Sequence, residues 1–226
     1  MPRPATTLFM LMSVDGKIST DATDDFDVGS DLPRIPGVRE GLHQYYEIEQ
    51  TTDLWSMNTG RVMAKMGANE TPMPERLPVS FAVFDNTHLT ERGVRWLCAK
   101  ARELAIVTAN SRHPALGLDE GNLHVLLQER ASLSEALEWL RTELGCERLT
   151  VQSGGTVNGA LLREKLIDYV DVVVAPMLIG GKDTPTLVDG ASLHAGEGLD
   201  GLGVLELVSC EKLEGSYLRV RYRVVG

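Results

Sequence analysis

Between Leu149 and Lys182 the chain reads LTVQSGGTVNGALLREKLIDYVDVVVAPMLIGGK, and this stretch decides the fold. Its first residues, Leu149-Thr150-Val151, form a short apolar run that stops at Ser153-Gly154-Gly155. A helical pattern starts there, with Val157, Ala160 and Leu161 on one face, and Asp168 closes it. A second run, Val170–Ala175, has the continuous apolar character of a strand buried on both faces and ends at Pro176. Strand, glycine turn, helix and strand make a βαβ unit, whose crossover is almost always right-handed. Glycine has no Cβ, so backbone N–H groups can come close to an anion, and a helix start adds unpaired N–H donors and partial positive charge. A phosphate-bearing ligand therefore suits Gly154 and Gly155, and a plain helix cap is the alternative that the same spacing allows. No Gly-Lys-Ser/Thr follows and G-x-G-x-x-G is absent, so the stretch is neither a P-loop nor the dinucleotide fingerprint.

Working outward, Thr6–Val14 is a continuous apolar run and predicts a central strand. It ends in Asp15-Gly16, an ordinary turn pair, yet chemistry in open α/β sheets gathers beyond the carboxyl ends of strands, where Ser13, Asp15 and Lys17 then lie. Ser19–Pro36 is polar, acidic and proline-bearing and reads as a long loop, a class that is usually functional when it occurs in a compact domain. Gly37–Gln50 patterns as a helix with Val38, Leu42, Tyr45 and Tyr46 at helical spacing, the tyrosines serving core or interface. Asp53–Met57 predicts a strand leading into Asn58-Thr59-Gly60-Arg61-Val62; the Arg61 guanidinium suits a phosphate, or is simply solvated. Val79–Phe84 and Leu104–Thr108 predict strands, separated by a helix capped at Thr90 with Val94, Leu97, Cys98 and Ala101 inward. Asn110, Ser111, Arg112 and His113 follow the second of these strands, with His113 ahead of Pro114 either adding charge or merely a loop residue. Leu123–Leu127 predicts another strand, and Ser132-Leu133-Ser134-Glu135 a capping box before a helix that Gly145 ends. Gly180–Asp200 is loop-like, and Val204–Cys210 with Tyr217–Val225 form a terminal hairpin. In that hairpin Arg219, Arg221 and Arg223 alternate with apolar residues, as on a solvated or dimer-facing edge.

Bulk composition narrows the function. A chain of 226 residues with a net charge of −10 buries a substantial core in a single domain spanning 1–226. No basic run is present, which disfavours nucleic acid as a partner. Cys98, Cys146 and Cys210 are scattered singly in apolar segments, which predicts reduced packing residues, no metal cluster and a cytoplasmic protein. No apolar run approaches the ~18 residues of a membrane span, and the N-terminus lacks a signal-peptide pattern.

Three segments carry a family resemblance. Ser153–Leu162 (SGGTVNGALL), Leu166-Ile167-Asp168 and Ala175–Gly181 (APMLIGG), together with Met12-Ser13-Val14-Asp15-Gly16-Lys17-Ile18, resemble the C-terminal reductase domain of the bifunctional riboflavin-biosynthesis deaminase/reductase. The resemblance implies a dihydrofolate reductase-like α/β fold: three layers, α/β/α, with a mostly parallel central sheet and a C-terminal antiparallel hairpin. It implies a homodimeric, NADPH-dependent reductase. The cofactor would be held by Met12, by Thr59, Gly60 and Arg61, by Asn110, Ser111 and Arg112 at the adenosine 2′-phosphate, and by Gly154, Gly155, Thr156, Val157 and Asn158 at the pyrophosphate. Ser13, Asp15, Lys17 and Ser153 would meet the substrate, and Ser19–Pro36 would be a lid over it. The deaminase half is missing, because H-x-E followed by P-C-x-x-C occurs nowhere in the chain.

The implied reaction takes 5-amino-6-(5-phosphoribosylamino)uracil, or its diaminopyrimidine analogue, in its open form at C1′, and a hydride converts the ribosyl group to a ribityl chain. Asp15 and Lys17 would then polarise or protonate the sugar as an acid/base pair, with a structural salt bridge between them as the alternative. Two features depart from the family pattern. Ser153 stands where the riboflavin enzymes commonly carry Glu, and Val-Met-Ala-Lys-Met-Gly after Arg61 does not reproduce their Asp-Pro-Leu phosphate segment. Changes of that kind alter specificity, so a pterin or another small carbonyl or imine compound is a second candidate substrate, and a non-catalytic NADP(H)-binding protein a third reading.

Overall fold

The computed structural model describes residues 2–23, 28–192 and 202–225. In chain order its elements are β1 (Ala5–Ser13), α1 (Val28–Asp31), α2 (His43–Glu49), β2 (Trp55–Thr59), α3 (Gly60–Lys65), β3 (Ser80–Phe84), α4 (Glu91–Lys100), β4 (Leu104–Thr108) and β5 (Leu123–Leu127). There follow α5 (Leu133–Thr142), β6 (Arg148–Val151), α6 (Gly155–Arg163), β7 (Tyr169–Ala175), β8 (Leu205–Lys212) and β9 (Leu218–Val224). The chain divides into two compact units, one of Met1–Ala5 with Asp53–Ser153 and the other of Thr6–Thr52 with Gly154–Gly226.

In the Asp53–Ser153 unit five strands lie in the order β5-β4-β3-β2-β6, and every pairing among them is parallel. Its core joins Phe81, Val83, Leu104 and Ile106 of the sheet to Val94, Leu97 and Cys98 of α4. The Thr90 hydroxyl accepts from Gly93 N–H at 3.1 Å, which caps α4 as its sequence predicts. At α5 the capping box is only half made. Ser132 accepts from Glu135 N–H at 3.3 Å, but the Ser132 N–H donates to Gln128 at 3.1 Å instead of to Glu135. A glutamine just upstream reached that donor first.

In the other unit the order is β1-β7-β9-β8. β1 and β7 run parallel, and β9 is antiparallel to both β7 and β8; with the pairings of the first unit all parallel, the strand pairing is mostly parallel and ends in an antiparallel hairpin. Phe9, Leu11, Leu32, Val38, Leu42, Val173 and Tyr217 form its core, and Tyr45 stacks on Phe9 with centroids 5.2 Å apart. Asp168 lies beyond the helical segment, which ends at Arg163 with Glu164 as its C-cap; the Asp168 carboxylate accepts from Thr6 N–H at 2.8 Å and so sets the start of β1 against β7.

Four expectations need correction. The helix read over Gly37–Gln50 is confined to His43–Glu49, because Gly37 takes a left-handed φ of +87° and residues 38–42 form turns. The loop Ser19–Pro36, of which residues 24–27 lie outside the described residues, contains α1 and a short 3-10 turn, Leu32–Arg34. Leu32 is buried in the core and anchors it. The arginine row does not lie on an edge, since β9 is flanked by β7 and β8. Arg219 and Arg221 reach Asp171, a buried carboxylate on β7, at 2.7 and 3.0 Å, and Arg223 pairs with Glu206. Finally, Cys98 and Cys146 are buried packing residues whose thiols burial pushes up to about 11 and about 12, but Cys210 is exposed on β8.

Candidate active site

Ser13 pairs with Ala175 at the ends of the parallel strands β1 and β7, so the segments that follow leave side by side. Val14 N–H donates to the Met177 carbonyl at 2.9 Å. Gly16, at φ +75°, lets the chain turn back within one residue, and Ser13 N–H then donates to the Lys17 carbonyl at 2.9 Å. Met12, on β1, pairs with Val174.

Asp15 is the acceptor at the centre of this turn. Its carboxylate takes the Ser13 hydroxyl at 2.5 Å, Gly180 N–H at 2.6 Å and Ile179 N–H at 3.1 Å. These donors, the Ser13 hydroxyl first, lower its carboxyl to about 2. At neutral pH Asp15 is therefore an anion and accepts hydrogen bonds; it does not give up a proton. Lys17 is buried, and its ammonium donates to the carbonyls of Gly181 at 2.7 Å and Thr184 at 2.8 Å. Among the described residues no ion pair joins Asp15 to Lys17, so the salt bridge read from their spacing is not formed. Each instead clamps a different part of the segment after β7, Asp15 by its amides and Lys17 by its carbonyls.

The same segment runs on over α6. Lys17 and Thr186 form an isolated antiparallel bridge, and Asp189 N–H donates to the Gly155 carbonyl at 2.9 Å. A Cβ on Gly155 would lie 2.3 Å from the Thr186 carbonyl and the Asp189 carboxylate, and one on Gly159 would lie 1.9 Å from the Asp189 carbonyl. Those two glycines are explained by chain packing. Gly154 is not: it has an ordinary extended backbone, φ −71° and ψ 157°, and a Cβ there would meet nothing within 4 Å. Asn158 is fully buried, and its amide donates to the Leu187 carbonyl at 2.8 Å, which ties down the loop. Thr156 is exposed and Val157 half-buried in the first turn of α6.

In the Asp53–Ser153 unit the parallel strands β2, β3 and β4 end in register, Thr59 beside Phe84 and Phe84 beside Val107. Three turns are thereby set next to one another. β2 runs two residues further than its sequence suggests, so Thr59 is the N-cap of α3, its hydroxyl accepting from Val62 N–H at 3.4 Å. Gly60 opens that helix and Arg61 is exposed. After β4, Asn86 accepts from the Thr108 hydroxyl and Ala109 N–H at 3.1 and 2.8 Å, and Asn110 accepts from Arg112 N–H at 2.9 Å. Ser111 and Arg112 project outward, exposed. Ser153 is buried at the end of this unit.

The middle turn holds a group that sequence reasoning missed. Asp85 has a fully buried side chain, and so does His113, whose Nε2 lies 3.0 Å from Asp85 Oδ2. The backbone N–H groups of Leu89 and His88 donate to the same carboxylate at 2.9 and 3.0 Å, and His88 Nδ1 lies 3.1 Å away. Burial alone would raise this carboxyl, but the hydrogen bonds from His113, Leu89 and His88 outweigh it and hold the group far below the usual range. A Cβ on Gly60 would fall 2.2 Å from the Asp85 carboxyl. The one available signal was an Asp closing a strand, Phe84-Asp85-Asn86, which is turn chemistry and so reads as nothing more.

Parallel strands followed by polar turns at their carboxyl ends, and a terminal antiparallel hairpin, define an α/β protein with mostly parallel strand pairing. Residues 4–218 match the RibD C-terminal domain family, and the chain belongs to that family. It is 30% identical, over 247 aligned residues covering 99% of this chain and all of the relative, to the 2,5-diamino-6-ribosylamino-4(3H)-pyrimidinone 5′-phosphate reductase of Methanothermobacter thermautotrophicus. The riboflavin biosynthesis protein RibD of Bacillus amyloliquefaciens is 27% identical over 85% of this chain and 51% of its own length. Among solved structures, Acinetobacter baumannii RibD superposes with a TM-score of 0.67 at 15% identity, covering 99% of this chain, which spans 58% of that one. The Saccharomyces reductase Rib7 gives 0.59 at 12% identity, covering 99% of this chain and 90% of its own. Among the described residues no helix is long and apolar enough to cross a membrane.

Proposed function

We propose that this protein is an NADPH-dependent reductase of riboflavin biosynthesis, acting on 2,5-diamino-6-ribosylamino-4(3H)-pyrimidinone 5′-phosphate in the cytoplasm. The observation that carries the reading is the end-to-end match to an archaeal reductase named for that substrate. The reaction opens the ribosyl ring and reduces C1′ to give a ribityl chain. NADPH, when bound, supplies the hydride. The site residues fit such a cofactor: Gly154 has open space that its own backbone does not require, Arg61 is an exposed donor in the first turn of α3, and Ser111 and Arg112 are exposed donors on a hydrogen-bonded turn. In this reading Arg112 and Ser111 hold the adenosine 2′-phosphate, and Arg61 and the backbone of Gly154–Val157 meet the other phosphates. Asp15, ionised, accepts from a hydroxyl or amino group of the substrate beside Ser13. Lys17 shapes the wall by holding Gly181 and Thr184.

The reading is tested at Arg112. Arg112→Ala is expected to weaken NADPH binding by ~1–3 kcal/mol, the scale of a charge-assisted contact, and to leave NADH binding as it was. Titration calorimetry with both cofactors checks this, and an unchanged NADPH/NADH ratio would remove the assignment.

The same reading includes a homodimer. β8 is the outer strand of its sheet, and although it carries Glu206, Glu211 and Lys212, its Leu205, Leu207 and Val208 are 41%, 57% and 55% exposed, apolar surface that a partner would cover. Wild-type protein should sediment as a dimer and Val208→Lys as a monomer; a monomeric wild type contradicts the assembly.

A further inference from the structure

Asp85 and His113 take no part in the roles assigned above, yet they form a buried polar centre in which the carboxylate has several donors. Each Asp85 oxygen accepts from more than one donor. Oδ1 takes Thr87 N–H, His88 N–H and the His88 ring, and Oδ2 takes Leu89 N–H and the His113 ring. The tautomer of His113 follows. Its Nδ1 accepts from Ala115 N–H at 3.2 Å, so Nδ1 is bare and Nε2 carries the proton that points at Asp85. With Nδ1 accepting and Nε2 donating, neither ring nitrogen offers a lone pair to a metal ion.

The placement of this pair is what gives it a role. The Asp85 carboxyl fills the space that a side chain at Gly60 would take, so it sets how closely the turn after β2 approaches. Through His113 it also grips the residue directly after Ser111-Arg112, and Asp85 N–H donates to the Val107 carbonyl at 3.0 Å. One buried carboxylate thus ties together the turn bearing Thr59, Gly60 and Arg61 and the turn bearing Asn110, Ser111 and Arg112. Arginine on a loose loop loses much of its phosphate affinity to ordering, whereas the same side chain on a fixed backbone keeps it.

We propose that the buried Asp85–His113 pair is a positioning element that sets the preference for NADPH over NADH, by fixing the turn that carries Ser111 and Arg112. This inference rests on the cofactor reading given above. It concerns residues that touch no cofactor and act only through the backbone they hold.

The test measures kcat/KM for NADPH and NADH, with thermal melts, in wild type, Asp85→Asn, His113→Asn and His113→Gln, and in His113→Asn combined with Arg112→Ala. Asparagine at 113 keeps an acceptor for Ala115 N–H but is too short to reach Asp85, so it cuts the tether with least damage, and it serves if Asp85→Asn fails to fold. His113→Asn should lower the NADPH/NADH preference about tenfold, mostly through KM for NADPH, with kcat/KM for NADH changed far less. His113→Gln, whose amide reaches toward Asp85, should recover part of that preference. In the Arg112→Ala background, where only Ser111 is left to be positioned, His113→Asn should lower it much less. A folded His113→Asn protein with wild-type preference overturns the proposal, as does an equal loss with both cofactors or an undiminished effect in the Arg112→Ala background. A wild-type protein that turns over with NADH as readily as with NADPH overturns the cofactor reading itself, and this inference with it.

Discussion

Asp15→Asn is expected to fold and to retain about one hundredth or less of the wild-type kcat/KM, the scale on which removing a fixed charged group from a reaction centre acts. The carboxylate accepts from one hydroxyl and two backbone N–H groups. An amide has a single oxygen, and its NH2 must face at least one of those donors. Ser13 and Ile179 share one oxygen and Gly180 holds the other, so either Gly180 or the Ser13 and Ile179 donors lose their acceptor, and the negative charge offered to substrate is gone. The pH dependence separates this role from that of a proton donor. The carboxyl is lowered to about 2, so its ionised form and the contacts it makes are complete above the ordinary carboxylate range and are lost only as pH falls through about 2. A fall in kcat/KM near neutral pH must then belong to another group and persist, at the same pH, in Asp15→Asn. If that limb disappears in the variant, Asp15 is the titrating acid and the account of its charge is wrong.

Lys17→Met is the second large effect, and it falls on stability. The buried ammonium holds the Gly181 and Thr184 carbonyls, and a thioether satisfies neither. Hydrogen bonds to a charged group contribute about 1.5–3 kcal/mol each, and the carbonyls left behind are poorly placed to find water. A loss of about 3 kcal/mol is expected, which for a chain of this size lowers the melting midpoint by about 6–12 °C. Lys17→Arg should not restore it, since a planar guanidinium does not fit two carbonyls arranged for a compact ammonium. Urea unfolding of the three proteins checks both statements. A Lys17→Met protein as stable as wild type means that the segment from Gly181 to Thr184 is held by other contacts.

The two residues also show where sequence reasoning succeeds and where it stops. The element containing them was legible because hydrophobic pattern and turn chemistry are local. Strands β4 and β5 match their apolar runs residue for residue, and the caps at Thr90 and Ser132 lie where hydroxyl side chains precede helical patterns. What Asp15 and Lys17 touch was not legible. Their partners are residues 179–184, about 165 positions away, brought alongside only by the parallel pairing of β1 with β7. Asp85 and His113 were hidden for the same reason, being 28 residues apart and joined by the register of β3 with β4. The arginine row of β9 was misread because alternation marks a strand with two unlike faces and does not distinguish an edge from an inner position. There Asp171 on β7, directly opposite Arg221, lies on the arginines' own face and pairs with Arg219 and Arg221. The glycines of the Ser153–Leu162 motif divide by cause. Gly155 and Gly159 are required by the chain that crosses them, whereas Gly154, the N-cap of α6, has open space around it.

The central claim is the reductase activity, and the most direct measurement is the loss of NADPH absorbance on adding 2,5-diamino-6-ribosylamino-4(3H)-pyrimidinone 5′-phosphate, with the product identified by mass spectrometry. The account predicts steady turnover at about 1 s⁻¹ or faster and a product heavier by two hydrogens, with the corresponding uracil compound reduced more slowly or not at all. NADPH that binds but is not consumed with either compound would contradict it.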